Sequence, residues 1–470
     1  MTLAPALIAR FAAITGRAHA LADPDMQAPF LTEWRDRWTG RAALVLRPAD
    51  TAQVAAIVRL AAETRTALVP QGGNTGLVGG QIPDNSGDQI VVSLTRLSKI
   101  RAVDAPGQSI TVEAGVTLKN VQTAADDAGL LFPLSLAAED SATIGGNLST
   151  NAGGTAVLAY GNARDLTLGL EVVLPSGDIW NGLRTLRKDN TGYDLKNLFI
   201  GAEGTLGLIT AATLKLFPHP AARATLLAAT LSPAAALAAL GSLRANAPGT
   251  VTTFEIMPRF GLDLVLRADR QARDPLTAPS PWYVLAEISS QHEQGFAAAV
   301  ESALAAILEA GHFTDATLAT SGQQAAAFWH LREGMSEAQK IIGGSIKHDI
   351  AVPVASVPAF LDAALPAIAA LVPGCRPVPF GHLGDGNLHF NISQPEGGDT
   401  AAFLTRRDDV NAAVFALVAK FGGSISAEHG IGIDKRALLP TVKSPVEIAL
   451  MHQVKAMLDP LGIMNPGKVL

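Results

Sequence analysis

Short apolar runs alternate with amphipathic stretches in the first part of the chain. The apolar run Ala43–Leu46 predicts a β-strand. In Gln53–Thr64 apolar residues recur at helical spacing, and either Asp50 or Thr51 precedes them as an N-cap. A second apolar run, Ala67–Pro70, predicts another strand that ends in a glycine-rich loop. This order of elements indicates a mixed α/β region.

The same pattern continues over the next hundred residues. The segment Ser109–Glu113 predicts a strand, and Thr117–Ala128 predicts a helix that ends at Gly129. The apolar run Thr167–Leu174 followed by the turn residues Pro175–Asp178 is typical of a hairpin. We therefore expect one mixed α/β region from about residue 43 to about residue 217.

From about residue 218 to 380 predicted strands alternate with alanine-rich helices. Two of these helices are Ala234–Leu243 and Gly295–Ala310, and near the end of the chain Pro445–Leu458 predicts one more. The middle region therefore indicates an α+β domain with a core of its own.

One apolar segment is long enough to raise the question of a membrane. The twenty residues Ala224–Leu243 carry no charge, a length that nominally spans a bilayer. Pro233 interrupts the segment, and Ser232 before it is a typical helix N-cap. The pattern therefore predicts a strand followed by an alanine-rich helix, and no transmembrane span.

Composition narrows the class of protein. The 470 residues carry a formal net charge of −6, which argues against a nucleic-acid partner. The single cysteine, Cys375, cannot form an internal disulfide and suits a reducing compartment. The N-terminal residues Met1–Pro5 lack the charge and the apolar run of a signal peptide. We therefore expect a cytoplasmic protein.

Candidate metal ligands occur in two glycine-flanked motifs. His382 and His389 lie seven residues apart, and Glu428 and His429 follow about forty residues later. Two imidazoles and one carboxylate bind a divalent metal and leave coordination positions open for a substrate. A single histidine of this kind is more often structural, so the metal hypothesis depends on the whole set His382, His389 and Glu428. Zinc, manganese and iron all accept these ligands.

Two neighbours of the metal motif have predicted roles of their own. His429 is not needed as a ligand, so it is a candidate base for a proton of the bound substrate. Strand alternation places Asn391 on the same face as His389.

Three glycine-rich segments predict a site for a large phosphorylated cofactor. They are Pro70–Gly80, Ser141–Gly154 and Gly201–Thr210. Closely spaced glycines let backbone N–H groups turn toward an anion, and asparagine and threonine add further donors. Each segment alone is equally consistent with a tight turn. Neither the dinucleotide motif GxGxxG in its βαβ setting nor a GxxxxGK[ST] loop occurs, so the cofactor is not held in either of those ways.

The motifs together resemble those of a known flavoprotein family. The segments PQGGNTGLVGG, SATIGGNLSTNAGG, KDNTGYDLKNLFIGAEGTLGLIT, GHLGDGNLHFNI, SAEHGIGIDKR and MNPGK are similar to those of the FAD-dependent D-2-hydroxyacid dehydrogenases, which belong to the vanillyl-alcohol-oxidase type. The likeness extends from about residue 40 to the C-terminus. It implies an α+β protein with a two-subdomain FAD-binding domain (1–218), a substrate domain (219–425) and a C-terminal segment returning to the flavin (426–470).

The resemblance also implies how the flavin is bound. Relatives with covalent FAD carry a histidine in the first glycine loop, where this chain has Gly73-Asn74-Thr75, so we expect non-covalent FAD. The residues implied to bind it are Pro70, Gln71, Gly72, Gly73, Asn74, Thr75, Gly76, Leu77, Gly79, Gly80, Ser135, Ser141, Gly145, Gly146, Asn147, Thr150, Asn151, Gly153, Glu203, Ile209 and Asn465.

A further group of residues bears on the choice of substrate. Arg332 and Ser336 lie four residues apart on one predicted helix, and Lys347 follows. Taken alone they are typical of a solvated helix face and an exposed strand. The resemblance is greatest to the D-2-hydroxyglutarate branch, whose members carry such a lysine, and it implies that Arg332, Ser336 and Lys347 bind the distal carboxylate of a dicarboxylate. His348 departs from the aromatic residue that is common at this position.

These expectations combine into one reaction. The substrate chelates a divalent metal, for which zinc is our first prediction, and His429 removes the hydroxyl proton. Asn391 orients the substrate, and a hydride passes from C2 to flavin N5. D-2-hydroxyglutarate is the predicted substrate, with D-malate as a second dicarboxylate candidate. The alternatives are D-lactate or glycolate oxidation, or a flavin-binding subunit of a larger complex. We further predict a homodimer and, as electron acceptor, an electron-transfer flavoprotein or a quinone.

Overall fold

The structure, a computed structural model, describes residues 3–470 and divides into two units. Unit 1 comprises the residues up to Gly154, together with Gly161–Pro218 and Glu428–Leu470. Unit 2 comprises Thr155–Tyr160 and His219–Ala427.

The strands and helices are as follows. In chain order the strands are β1 (Ala20–Leu21), β2 (Leu44–Leu46), β3 (Leu68–Gln71), β4 (Ile90–Ser93), β5 (Ile100–Asp104), β6 (Ser109–Glu113), β7 (Leu130–Leu131), β8 (Thr167–Val173), β9 (Ile179–Gly182), β10 (Leu208–Lys215), β11 (Phe217–Pro218), β12 (Ala222–Thr230), β13 (Thr250–Pro258), β14 (Trp282–Ser290), β15 (Asp315–Leu318), β16 (Ser345–Ile346), β17 (Asp349–Ala351), β18 (Arg376–His382) and β19 (Asn387–Ser393). The helices are α1 (Pro5–Thr15), α2 (Pro24–Leu31), α3 (Thr51–Thr64), α4 (Leu118–Asp127), α5 (Ile144–Thr150), α6 (Val157–Tyr160), α7 (Lys196–Phe199), α8 (Pro233–Asn246), α9 (Arg259–Ala268), α10 (Phe296–Glu309), α11 (Gly322–Glu333), α12 (Met335–Ala338), α13 (Val357–Leu371), α14 (Thr400–Leu404), α15 (Arg407–Lys420), α16 (Leu439–Val442) and α17 (Pro445–Leu458).

Unit 1 contains two main sheets. The first has the strand order β1-β2-β4-β3, in which β4 pairs in parallel with both β2 and β3. Its amphipathic helix is α3, where Asp50 caps the N-terminus by accepting the backbone N–H of Gln53 at 2.8 Å. The apolar face of α3, which includes Val54, Ile57 and Val58, is fully buried in the core of this sheet. The helix and cap predicted from the sequence are confirmed here.

The second sheet of unit 1 is antiparallel, with the order β5-β6-β10-β8-β9. Strand β10 lies at its centre and is almost wholly buried, as expected of a run with no charge before its last residue. The predicted hairpin is confirmed by the antiparallel pairing of β8 with β9. Because the third glycine-rich segment leads directly into β10, this central strand anchors one end of that segment.

Unit 2 is built on one antiparallel sheet with the order β15-β12-β14-β13-β18-β19-β16, and β17 pairs with β19. Helices α9, α11 and α12 cover part of this sheet, and their side chains join Tyr283 and Phe380 in the core. The strands β13, β18 and β19 are neighbours, so their side chains on one face lie close together.

The charge-free segment predicted to be a strand and a helix is confirmed as such. It forms β12 and α8, and Ser232 caps α8 by accepting the backbone N–H of Ala235. Within residues 3–470 one helical stretch, Val354–Leu371, is long and apolar enough to cross a membrane by length and composition alone. In the structure it includes α13, whose buried side chains are Val357, Phe360, Leu361, Ala364 and Ile368 and which packs against α15 and α8.

Candidate active site

In unit 1 the first two glycine-rich segments lie directly against each other. Strand β3 ends at Gln71, and the chain then passes the second segment so closely that a Cβ atom on Gly72 would overlap the Thr143 hydroxyl. A Cβ atom on Gly73 would overlap the carbonyl oxygen of Ser141. Only glycine permits this approach of two backbones. The structure therefore brings together two segments that lie about seventy residues apart in the sequence.

The third glycine-rich segment and the C-terminal motif join the same place. Gly204 lies against the ring of Pro70. The side-chain amide of Asn465 donates to the carbonyl oxygens of Gly80 at 2.9 Å and Glu203 at 2.8 Å. All four predicted flavin-binding regions thus converge within unit 1, and we call this place the glycine cradle.

Polar groups in the glycine cradle fit a large polar ligand. Three buried side-chain atoms have no hydrogen-bond partner within the described chain: Gln71 Oε1, Asn147 Nδ2 and Asn465 Oδ1. Buried polar atoms of this kind cost free energy unless something pairs with them. Asn74, Asn151, Glu203 and Asn465 also have positive φ angles of 44–56°, a conformation that is uncommon outside glycine and tends to occur at functional sites. These unpaired donors and acceptors therefore fit a large polar ligand such as FAD.

The structure gives Glu203 a structural contact that the sequence did not predict. Its carboxylate accepts the backbone N–H groups of Ile431 at 2.6 Å and Gly432 at 2.8 Å. Burial raises the pKa of Glu203, and the two N–H donors oppose that rise. Glu203 therefore holds the segment after His429 in place.

The other predicted flavin-binding residues line the same loops. Asn74 donates to the carbonyl oxygens of Pro29 and Thr32, which fixes the first loop. Asn151 accepts the backbone N–H of Arg164 at 2.9 Å. The remaining members are distributed over the loop after β3, the approach to α5, α5 itself and β10: Thr75, Gly76, Leu77, Gly79, Ser135, Gly145, Gly146, Thr150 and Ile209.

Glu428 and His429 belong to unit 1 and lie beside the glycine cradle. The Glu428 carboxylate accepts the backbone N–H of Gly154 at 2.7 Å, and a Cβ atom on Gly153 would lie 2.8 Å from the same oxygen. Glycine at position 153 therefore makes room for Glu428. The donor atoms of Glu428 and His429 lie within 4.8 Å of each other.

The two candidate histidine ligands come from adjacent strands of unit 2. His382 ends β18, and His389 lies in β19, where it is the register partner of Phe380. The ring centroids of His382 and His389 are 5.7 Å apart, and their ligand atoms lie within 4.8 Å of each other. The hairpin therefore brings two imidazoles into a geometry that fits one metal ion.

A buried carboxylate that sequence reasoning missed connects this pair to Arg332. Glu255 lies in β13 opposite His382 and is fully buried. One of its oxygens is 2.5 Å from His382 Nδ1, and the other accepts Arg332 Nε at 2.6 Å. Burial alone would raise the pKa of Glu255, but the charges and hydrogen bonds of Arg332 and His382 outweigh it and lower the pKa to about 2. No motif marks Glu255 in the sequence, since it stands in an ordinary apolar strand.

The ionised state of Glu255 determines which nitrogen of His382 carries the proton. A carboxylate can only accept hydrogen bonds, so Nδ1 must be the donor. In the neutral ring the lone pair then lies on Nε2. His382 is thus held in the form that a metal ligand requires.

The predicted substrate-binding residues also belong to unit 2. Arg332 lies in α11 and is buried, with its guanidinium carbon 4.8 Å from the centroid of the Phe380 ring. Ser336 is exposed, and its carbonyl oxygen accepts the half-buried Lys347 amine at 3.0 Å. Asn391 is buried in β19, two residues after His389. Lys347 and Ser336 are therefore in contact, whereas Arg332 is committed to Glu255 through its Nε.

His348, the residue that departs from the resemblance, has a structural role. Its Nδ1 lies 2.7 Å from the Phe390 carbonyl oxygen, and its Nε2 lies 3.0 Å from Asn411 Oδ1. Both ring nitrogens are thereby engaged within unit 2, and the ring packs edge-on against Phe415.

The fold agrees with solved flavoproteins. p-Cresol methylhydroxylase with substrate bound aligns with a TM-score of 0.74 at 16% identity, covering 99% of this chain and 96% of that one. 4-Ethylphenol oxidase from Gulosibacter chungangensis aligns with a TM-score of 0.71 at 18% identity, again covering 99% and 96%. These likenesses confirm the predicted fold of the vanillyl-alcohol-oxidase type.

Sequence comparison gives the family. Residues 42–182 match the FAD binding domain, and residues 219–469 match the C-terminal domain of FAD linked oxidases. D-2-hydroxyglutarate dehydrogenase of Stutzerimonas stutzeri is 37% identical over 469 residues, covering 99% of both chains. The enzyme of the same name from Xanthomonas citri pv. viticola is 38% identical, covering 93% of this chain and 91% of that one. The mitochondrial D-2-hydroxyglutarate dehydrogenase of Arabidopsis thaliana is 36% identical, covering 98% of this chain and 81% of that one. The chain therefore belongs to the FAD-dependent D-2-hydroxyacid dehydrogenases of the FAD-linked oxidase family.

Proposed function

We propose that the protein oxidises D-2-hydroxyglutarate to the 2-oxo acid with FAD as the electron acceptor and a divalent metal at the substrate. The observation that carries the proposal is the linked group in unit 2, where His382 and Arg332 share the carboxylate of Glu255 and His389 lies beside His382. A metal on the histidines and the guanidinium of Arg332 are two separate receptors for anions. Two such receptors suit a dicarboxylate, and the relatives named above support the same substrate.

The metal ligands in this proposal are His382, His389 and Glu428. Chain connectivity supports the third ligand, because the backbone N–H of Ala427 donates to the carbonyl oxygen of Asp349 at 3.3 Å and Asp349 is the register partner of His389. Glu428 follows Ala427 directly, and one peptide unit spans only about 3.8 Å between Cα atoms. Nitrogen and carboxylate ligands of this kind suit zinc, with manganese and iron as alternatives.

Two further residues have roles in the proposed reaction, one in proton transfer and one in orienting the substrate. When bound, the metal polarises the substrate hydroxyl and FAD accepts the two electrons released at C2. His429 takes the hydroxyl proton, since it neighbours the Glu428 ligand and is not itself needed to complete the ligand set. Asn391 orients the substrate from the face of β19 that carries His389.

The distal carboxylate is assigned to Arg332, Lys347 and the hydroxyl of Ser336. Lys347 is half-buried and already close to Ser336, so its ammonium group is positioned at little further cost in side-chain entropy. Arg332 keeps its terminal nitrogens available for a second carboxylate, because Glu255 is bonded to Nε. D-malate, which is one methylene shorter, is a second candidate substrate for the same groups.

The experiment that tests this proposal is anaerobic reduction of the bound flavin. We would follow loss of flavin absorbance on mixing the purified protein with D-2-hydroxyglutarate, D-malate, D-lactate or glycolate, before and after treatment with EDTA. Rapid, EDTA-sensitive reduction by the dicarboxylates is the expected result. Reduction by D-lactate or glycolate alone would retain the chemistry and refute the assignment of Arg332 and Lys347. Absence of reduction by all four acids would favour a flavin-binding subunit that needs a partner.

Three further points stay predictions. They are a homodimeric assembly, a cytoplasmic location, and an electron-transfer flavoprotein or quinone as the acceptor that reoxidises the flavin.

A further inference from the structure

We propose that Glu255 is a positioning residue that fixes the metal ligand His382 and the anion-binding Arg332 relative to each other, so that one carboxylate sets the separation of the two substrate receptors. This inference rests on the proposed function. It goes beyond that function by assigning a role to a residue that touches neither metal nor substrate.

Each oxygen of the Glu255 carboxylate contacts one of these two partners. His382 Nδ1 lies 2.5 Å from one oxygen, and Arg332 Nε lies 2.6 Å from the other. A single rigid group of three atoms therefore links a ring on strand β18 to a side chain on helix α11. Movement of either partner alone would break a short, charge-assisted bond.

Glu255 is itself held in place by burial and by the pairing of its strand. It is the register partner of His382 within the sheet, and its side chain has no exposed surface. The backbone of β13 is paired on both sides, with β14 and with β18. Rigid secondary structure of this kind holds a functional group more precisely than a loop does.

Arg332 and His382 also have ring contacts besides Glu255. The guanidinium of Arg332 stacks over Phe380 at 4.8 Å, and the Phe380 ring lies 5.1 Å from the His389 ring. His389 in turn contacts His382, with ring centroids 5.7 Å apart. The contacts form a closed circuit of five side chains, of which Glu255 is the acidic member.

A burial-driven structural role is the competing explanation. A carboxylate in the core beside an arginine often serves the fold alone, and removing it then lowers stability without changing what the site binds. The two explanations differ in what they predict for metal affinity, since a carboxylate that orients a histidine ligand typically contributes about 10- to 100-fold to it.

The test compares FAD-loaded wild-type protein with Glu255→Gln and Glu255→Asp. We would measure the zinc dissociation constant by competition with a chromophoric chelator without substrate, and KM and kcat for D-2-hydroxyglutarate separately. In Glu255→Gln one partner loses its acceptor, and in Glu255→Asp the carboxylate is set back by one methylene while its charge is kept. We expect zinc to bind about 10- to 100-fold more weakly in both variants, KM to rise, and flavin content to stay unchanged.

The matched control is Glu287→Gln. Glu287 lies on the adjacent strand β14 and accepts hydrogen bonds from Thr225 and Trp329, so it is a carboxylate of the same sheet with structural partners. This variant should keep wild-type zinc affinity and KM.

The outcomes separate the inference from the proposed function. Wild-type zinc affinity in Glu255→Asp, together with a large loss in His382→Ala, would overturn the role of Glu255 and leave the metal site intact. Unchanged zinc affinity in His382→Ala would instead overturn the metal site itself. If Glu255→Gln does not fold, Glu255→Asp decides, because it retains the charge that Arg332 requires.

Discussion

Replacing Lys347 with alanine should make the enzyme lose its preference for a dicarboxylate. Lys347 is half-buried, and its amine lies 3.0 Å from the Ser336 carbonyl oxygen. A hydrogen bond to a charged group contributes about 1.5–3 kcal/mol in such a setting. Because about 1.4 kcal/mol corresponds to a factor of ten, the loss in kcat/KM for D-2-hydroxyglutarate should be about 10- to 150-fold.

The assay should compare two substrates of equal chain length. D-2-hydroxyvalerate carries a methyl group where D-2-hydroxyglutarate carries its distal carboxylate. The bond between Lys347 and Ser336 is lost with either substrate, so its effect cancels in the ratio of the two kcat/KM values. We therefore expect the ratio to fall by the full factor, while flavin reduction by D-2-hydroxyvalerate changes little.

Lys340→Ala is the control for loss of a nearby positive charge. Lys340 pairs with Glu337 on the surface, where the two side chains are 65% and 71% exposed. Such a pair contributes at most about 1 kcal/mol, so this variant should keep the wild-type ratio. Our reasoning would be refuted by equal losses for both substrates in Lys347→Ala, since the lysine would then act on the fold or on the shared end of the substrate.

Three further predictions concern the cofactor, the proton transfer and pH. Gly73→Ala should abolish flavin binding, because the new methyl group would overlap the Ser141 carbonyl oxygen. Gly241 has open space around it, so the control variant Gly241→Ala should retain FAD. The ratio of flavin to protein absorbance measures the FAD content of both variants. His429→Gln should lower kcat by about 10²- to 10⁴-fold while FAD and metal contents stay constant, and turnover near wild type would exclude it as the base. Burial lowers the pKa of Lys468 to about 8 in the folded state, whereas the pKa of a lysine in the unfolded chain is about 10.4. As the pH rises, the folded state therefore releases this proton at a lower pH than the unfolded state does. The free energy of unfolding, measured with urea, should therefore rise more for the wild type than for Lys468→Met between pH 8 and 10. An equal rise in both proteins would contradict this prediction.

The sequence predicted the individual elements well wherever local physics decides them. The helix α17 and the hairpin of β8 and β9 follow from side-chain preferences and periodicity within a few residues. For α3 the sequence left Asp50 and Thr51 open as the cap, and the structure decides for Asp50. The family and the fold could also be identified from the sequence. The reason is that glycine is required at each position where two backbones approach closely, so the glycine-rich segments have a recognisable sequence.

The candidate site divides into a part that motifs reveal and a part that they do not. His382, His389 and Glu428 stand in glycine-flanked motifs that the sequence shows directly. Glu255 could not be predicted, because it lies 127 residues before His382 in the sequence and becomes its partner only through the pairing of β13 with β18. The commitment of Arg332 to a buried carboxylate was hidden for the same reason.

The sequence by itself therefore determined which residue types this protein brings to its chemistry: glycines for a cofactor, two imidazoles and a carboxylate for a metal, and cations for an acid. Only the tertiary structure decided which groups are hydrogen-bonded to one another. Glu255 binds the side chains of Arg332 and His382, and Glu203 binds the backbone N–H groups of Ile431 and Gly432. The physical reason is that motifs record local requirements on the backbone and on ligand chemistry. Strand register and burial, which place distant residues side by side and fix their ionised states, are properties of the folded chain as a whole.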